Sequence, residues 1–208
     1  MKQLTIALMA LSLLCSCGNG KKEKAVDTTK NQTIEEPEKA PSQTVETNVP
    51  FNMETLPISM AELGDFPFLG FPDGLMAYGD PIEETDGTLY IPIKGTMTPF
   101  EGRIWKADIT SLDGNGDDWS LPQFFKSYGE RINGLGGTLV FDGEIDYEEY
   151  ERYHDKATYM GEAGSIGYVG ERILVYAIHR ANGANVLVQM TGNTISGKLN
   201  VLQTAPSK

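Results

Sequence analysis

The sequence predicts an α+β fold: a mostly antiparallel sheet with one main packed helix and a second, acidic helix. Three observations carry this. The C-terminal third holds three β-rich runs in close succession, 172–180, 185–191 and 198–203. Residues 121–134 have the 3.6-residue apolar period of a helix between a capping serine and a run of glycines. The elements follow the order β-β-β-α-β-(α)-β-β-β, which suits strands and helices segregated into layers better than a parallel βαβ fold.

Taken in order, apolar content resumes at Phe51. Residues 57–76 are proline-punctuated and show little periodicity, so Phe66, Phe68, Leu69 and Phe71 are expected to plug a core edge from a loop. Leu75–Tyr78 is a short strand. Thr88–Lys94 is β-rich, with Asp86-Gly87 expected as a turn before it. Pro92 cannot donate to a ladder, so this strand belongs at an edge or carries a bulge. In 102–109, Trp105, Ala107 and Ile109 share one face at period two, opposite Lys106 and Asp108. For the helix over 121–134, Ser120 and Gln123 form a capping-box pattern. Pro122 is tolerated in the first turn, where backbone donors are unpaired. Phe124, Phe125, Tyr128, Ile132 and Leu135 fall near one stripe, and Gly134 with Gly136-Gly137 ends it. Thr138–Phe141 is the next strand. Residues 172–180 are apolar on both faces, as a central strand would be. Asn182-Gly183 is the preferred dipeptide of a type I′ hairpin turn, returning into 185–191, and 198–203 closes the domain.

Ahead of this unit lies an address. Met1-Lys2-Gln3 is followed by an apolar run from Leu4 to Leu14, then Cys15-Ser16-Cys17. A basic start, an apolar core and small residues predict a signal peptide over 1–16. The run is shorter than the ~20 residues a spanning helix needs. Leu14-Cys15-Ser16-Cys17 resembles a bacterial lipobox, and that resemblance implies lipid attachment to the Cys17 thiol and cleavage before it. Both cysteines of the chain would be consumed in this way, leaving the folded part without thiol or disulfide chemistry. Gly18 is not the Asp that resembles an inner-membrane retention signal, so the outer membrane is the expected destination. Residues 17–50 read as the lipidated Cys and a polar, disordered tether with no aromatic residue, and 51–208 as one domain.

Charge separates these parts. Of 17 basic and 29 acidic residues, five Lys oppose five Glu and one Asp in the tether, so the acidity belongs to the domain. Phosphate repels such a surface, which argues against nucleic acid as a partner.

Several patterns invite a chemical reading. Asp113-Gly-Asn115-Gly-Asp117-Asp118 resembles the opening of a calcium loop, but Asp118 and Phe124 stand where an EF-hand requires Gly and an acid. Residues 142–155 hold seven acids with Tyr147, Tyr150, Tyr153 and His154 between them. Glu148, Glu149, Glu151 and Tyr150 form a candidate interaction face for a basic partner or divalent cations, with Tyr147, Tyr150 and His154 on one helical stripe. Glu151-x-x-His154 has di-iron ligand spacing, but that site needs the motif twice, so no metal or other cofactor is expected. Gly161, Gly164, Gly167 and Gly170 recur every third residue without a phosphate-loop lysine, which suits a compact loop feeding the central strand. Phe66, Phe68, Trp105 and Tyr168 form a candidate aromatic ligand pocket. No Gly-x-Ser-x-Gly elbow or histidine triad context appears, so no catalytic residue is assigned.

The stretches PISMAELGDFPFLGFPDGL, FEGRIWKADI, LPQFFKSYGERINGLGGTLVFDGEI and YMGEAGSIGYVGERILVYAIHRANGANVLVQMTGNTISGKLNVLQ span 57–203. Together they resemble the domain that precedes the OmpA-like domain in some Gram-negative outer-membrane proteins. The resemblance implies a non-catalytic protein of the cell envelope. After Gln203 only five residues follow, so the peptidoglycan-binding half is expected to be missing and its activity does not carry over. The combined expectation is a lipid-anchored outer-membrane lipoprotein on the periplasmic face, structural or adaptor-like, held to the membrane by its anchor and touching envelope proteins. The alternative is a small-ligand module using the aromatic pocket.

Overall fold

The computed structural model describes residues 51–112, 118–157 and 161–206. The signal peptide, Cys17, the tether and most of the calcium-loop pattern (113–117) lie outside the described residues. Seven strands form one sheet in which every pairing between strands is antiparallel. They are β1 (Leu75–Ala77), β2 (Ile82–Ile93), β3 (Thr96–Ser111), β4 (Thr138–Gly143), β5 (Ile173–Ile178), β6 (Val186–Gly192) and β7 (Gly197–Gln203). The spatial order is β1-β3-β7-β6-β5-β4, and β2 shares the outer edge of the long β3 with β1. Among the described residues two α-helices complete the α+β fold: α1 (Leu121–Gly134) and α2 (Tyr147–Tyr153), the latter continued by a 3-10 turn His154–Lys156.

The central strands are buried on both sides because the sheet is covered on both sides. Along β5, Leu174, Tyr176 and Ile178 enter one core while Ile173, Val175 and Ala177 enter the other. The same alternation runs through β6 and β7, as the two-residue side-chain period demands. The first face carries α1 through Phe124, Tyr128 and Ile132, with the loop around Leu69 beside it. The second face carries Tyr153 of α2, Ile166 of the glycine-spaced loop, and Leu89, Ile91 and Met97 from the far arm of the β2–β3 hairpin. Gln189 of β6 holds that arm down, its side-chain amide donating to the Tyr90 carbonyl at 3.2 Å.

Helix α1 occupies the expected span. The Ser120 hydroxyl accepts from the Gln123 N–H, and Pro122 sits in the first turn. At the far end the N–H groups of Gly136 and Gly137 close on the carbonyls of Asn133 and Ile132, both at 2.9 Å. These bonds satisfy acceptors the helix leaves open.

Two local expectations are corrected. Asp86-Gly87 is not a turn before β2 but part of it: the strand begins at Ile82, and its register with β3 shifts between Glu84 and Gly87. Pro92 fits because β2 pairs with β3 alone. Asn182-Gly183 does not make a type I′ turn. Gly183 has positive φ but Asn182 does not, and β5 and β6 separate at Ile178 and Val186. His179 and Arg180 are drawn instead to the segment before β1. Ser59 N–H donates to the His179 carbonyl, and an Arg180 guanidinium nitrogen donates to the carbonyls of Ser59 and Ala61. The type I′ geometry appears at Lys94-Gly95, where φ is +52° and +82° between the paired residues Ile93 and Thr96. Lys106 lies opposite Trp105, as the strand period predicts, and is only 2% exposed. Its ammonium pairs with Glu84 at 2.9 Å and Glu162 at 3.0 Å, in a row with buried Asn200 and Gln189.

Candidate functional site

The acidic stretch 142–155 spends three of its seven carboxylates on structure. Asp142 forms a two-pronged pair with Arg172, both bonds at 2.7 Å, and this hydrogen-bonded guanidinium holds its carboxyl below the usual range. Asp146 caps α2, its carboxylate accepting from the Glu149 N–H at 2.8 Å. Glu149 turns inward and accepts from the Met97 backbone N–H, while Arg152, bonded to Glu149, donates to the Met97 carbonyl at 2.8 Å. Met97 lies beyond the stretch of β3 that β7 covers. The Glu149–Arg152 pair therefore gives this backbone position the donor and acceptor that a neighbouring strand would supply. Of the candidate interaction face, Glu148 and Glu151 are exposed, whereas Glu149 and Tyr150 are partly buried.

Of the stripe through Tyr147, Tyr150 and His154, Tyr150 packs against the second core. Tyr147 is 67% exposed, and its hydroxyl hydrogen-bonds Glu151, which pushes its ionisation up. Tyr153 is the fully buried ring, its hydroxyl donating to the Gly167 carbonyl. The helix gives way to a 3-10 turn at His154, and Tyr150 stacks on the imidazole at 4.7 Å. Both His154 nitrogens are engaged: Nδ1 lies 2.9 Å from the Tyr150 carbonyl and Nε2 lies 3.0 Å from Asp155. No group of three or more metal-ligating side chains occurs among the described residues.

The division of labour within this stretch is testable. Glu149→Ala strips a buried N–H of its acceptor and should cost about 1–3 kcal/mol in urea unfolding. Glu148→Ala, on the exposed side, should stay within about 0.5 kcal/mol. Equal losses would contradict the clamp.

The aromatic candidates divide between the two faces. Trp105 is buried on the first face, with Phe66 and Phe68 half-buried beside that core and edge-to-face at 5.3 Å. Tyr168 lies across the sheet, 4.8 Å from the Lys198 ammonium and near Tyr150. Trp105 and Lys198 project from opposite faces because Val201, paired with Trp105, is three residues from Lys198 on β7. The four rings thus do not form one pocket.

What the first face holds instead is a cleft of about 170 Å³, lined almost wholly by carbon. Leu199, Val201 and Trp105 form its floor, and Pro67, Leu69, Gly70, Phe71 and Pro81 its walls. Phe71 is 43% exposed, with its ring 6.4 Å from the Trp105 indole. The loop wall is fixed from behind: Arg131 of α1 donates to the Leu69 carbonyl at 2.8 Å and the Phe71 carbonyl at 3.2 Å. The sequence points to Trp105 through its strand period, but it expects Phe71 to plug a core edge rather than stand 43% exposed. Nothing in it marked Pro81, Leu199 or Val201 as neighbours, since only strand order brings them together.

On the second face, burial pushes the Glu171 carboxyl up, with Lys198 partly opposing it. A raised folded value means that the ionised carboxylate costs stability at neutral pH, and the cost fades as pH falls through that value. Glu171→Gln should therefore raise Tm at pH 7, and the gain should shrink on acidification. A gain that is constant with pH would contradict this.

Comparison with known proteins returned no matching family model, no matching curated protein and no matching solved structure.

Proposed function

We propose that the chain is a lipoprotein of the bacterial outer membrane, anchored through an acylated Cys17 on the periplasmic face. It presents the 51–208 domain on a tether as a non-catalytic adaptor for other envelope proteins. The observation that carries this reading is Leu14-Cys15-Ser16-Cys17 directly behind the apolar run 4–14. The likeness of 57–203 to the domain preceding OmpA-like domains points to the same compartment. Among the described residues no helix is long and apolar enough to cross a membrane. Cys17→Ala should abolish incorporation of a labelled fatty acid and release the protein from the outer-membrane fraction. A variant that fractionates and labels like the parent overturns the reading.

The second reading, a small-ligand module, is favoured by the cleft beside Trp105, whose volume is comparable to cavities that take a single aromatic ring. Saturable binding of 4-fluorotoluene, followed by fluorine NMR and lost in Phe71→Ala, would support it. No binding would exclude it.

A further inference from the structure

The Trp105 cleft has a charge environment that selects among occupants. From residue 57 to residue 93 the chain carries seven acids and no Lys or Arg. Asp65, Asp73 and Asp80 fall within two residues of the lining residues Pro67, Phe71 and Pro81, and all three are exposed. The two cations nearby are committed. Arg103 pairs with Glu83 at 2.5 Å and covers the Phe66 ring at 4.2 Å, and Arg131 is bonded to the Leu69 and Phe71 carbonyls. A ring-sized apolar hole is thus flanked along the chain by three exposed acids.

Resting on the adaptor reading, we propose that this cleft docks a basic segment of a partner protein, which inserts one aromatic or branched aliphatic side chain flanked by Lys or Arg. The cavity holds one such side chain and is too small for a full acyl chain, which separates this occupant from the membrane itself. Its floor is sheet, and two of its walls are prolines with restricted backbones, so little ordering is needed on binding. The inserted group supplies the apolar contact, and the flanking cations meet Asp65, Asp73 and Asp80, which makes docking faster and tighter at low salt. A hot spot of this kind has an anchor in a dry pocket within a polar rim.

The test uses the purified full chain labelled with nitrogen-15, reading the Trp105 indole signal, assigned with Trp119→Phe. The probes are acetylated, amidated pentapeptides. Lys-Lys-Phe-Lys-Lys should shift the signal saturably and bind about tenfold more weakly at high salt than at low salt. Lys-Lys-Gly-Lys-Lys and Glu-Glu-Phe-Glu-Glu should each bind at least about tenfold more weakly than the first peptide at low salt. Phe71→Ala should lose the response, and the triple change Asp65→Asn, Asp73→Asn, Asp80→Asn should flatten its salt dependence. Equal binding of the glycine or the acidic peptide overturns the proposal, as does no binding of any peptide. If 4-fluorotoluene binds and no peptide does, the site belongs to a free small ligand. If an envelope partner is captured equally well by Phe71→Ala, the adaptor reading stands and the assignment of this cleft falls.

Discussion

Phe124→Ala is expected to cost about 3–5 kcal/mol, the range for truncating a fully buried aromatic side chain. The ring is 0% exposed and belongs, with Tyr128 and Ile132, to the face that α1 lays on the sheet. Its centroid lies 5.3 Å from Trp119, 5.4 Å from Phe125 and 5.3 Å from Tyr128. It also rests on Gly197 at the start of β7, where an added Cβ would come within 2.7 Å of the ring. No small rearrangement fills the hole, because the strand beneath is hydrogen-bonded on both sides. Phe125→Ala, next in sequence but half-buried, is expected to cost about 1–2 kcal/mol. Urea unfolding of both variants checks the pair. Similar losses, or a loss under about 1 kcal/mol for Phe124→Ala, would mean that α1 is not seated here.

The second large effect is at Gly164. This residue has φ of +71°, and a Cβ there would lie 2.8 Å from the Ala107 backbone nitrogen, 2.8 Å from the Asn200 amide oxygen and 3.0 Å from the Lys106 Cβ. Two costs add: a left-handed conformation for an L-residue, about 1–2 kcal/mol, and overpacking against backbone that cannot yield, about 1–3 kcal/mol. Gly164→Ala should therefore lose about 2–5 kcal/mol. Gly161 provides the control, since it shares the positive φ, at +87°, but has nothing within 4 Å of an added Cβ. Gly161→Ala should show only the conformational part, about 1–2 kcal/mol. The difference between the two variants measures how closely the loop lies on the sheet, and equal losses would contradict the contact.

That loop shows what could be read in advance. Glycine at every third position announced a compact loop before β5, and Gly161, Gly164, Gly167 and Gly170 all adopt positive φ. Helix α1 was legible for a similar reason: cap, apolar stripe and terminal glycines are local signals that agree with one another. The failures are tertiary. Asn182-Gly183 has the strongest local turn preference in the chain, yet the segment before β1 claims the backbone around His179 and Arg180 first. Lys94 gives no hint of positive φ, because the hairpin is imposed by the pairing of β2 with β3. The acidic start of β2 has little strand propensity, and its place beside Arg103 and Lys106 on β3 supplies what propensity lacks.

The site was legible in part. Period two placed Trp105 with Ala107 and Ile109, and they share the first-face core. The same period cannot say which loop covers which face, so the sequence groups Tyr168 with Phe66 and Phe68 although it lies across the sheet. In the acidic stretch, the count of carboxylates was plain, but the inward turn of Glu149 depends on Met97, 52 residues away.

Mass spectrometry of the mature N-terminus from a bacterial host tests presentation of the domain from a lipid anchor. The expected chain begins at Cys17 and carries acyl groups on it. An unmodified N-terminus beyond Cys17, or a free Cys17 thiol in the processed protein, would contradict it.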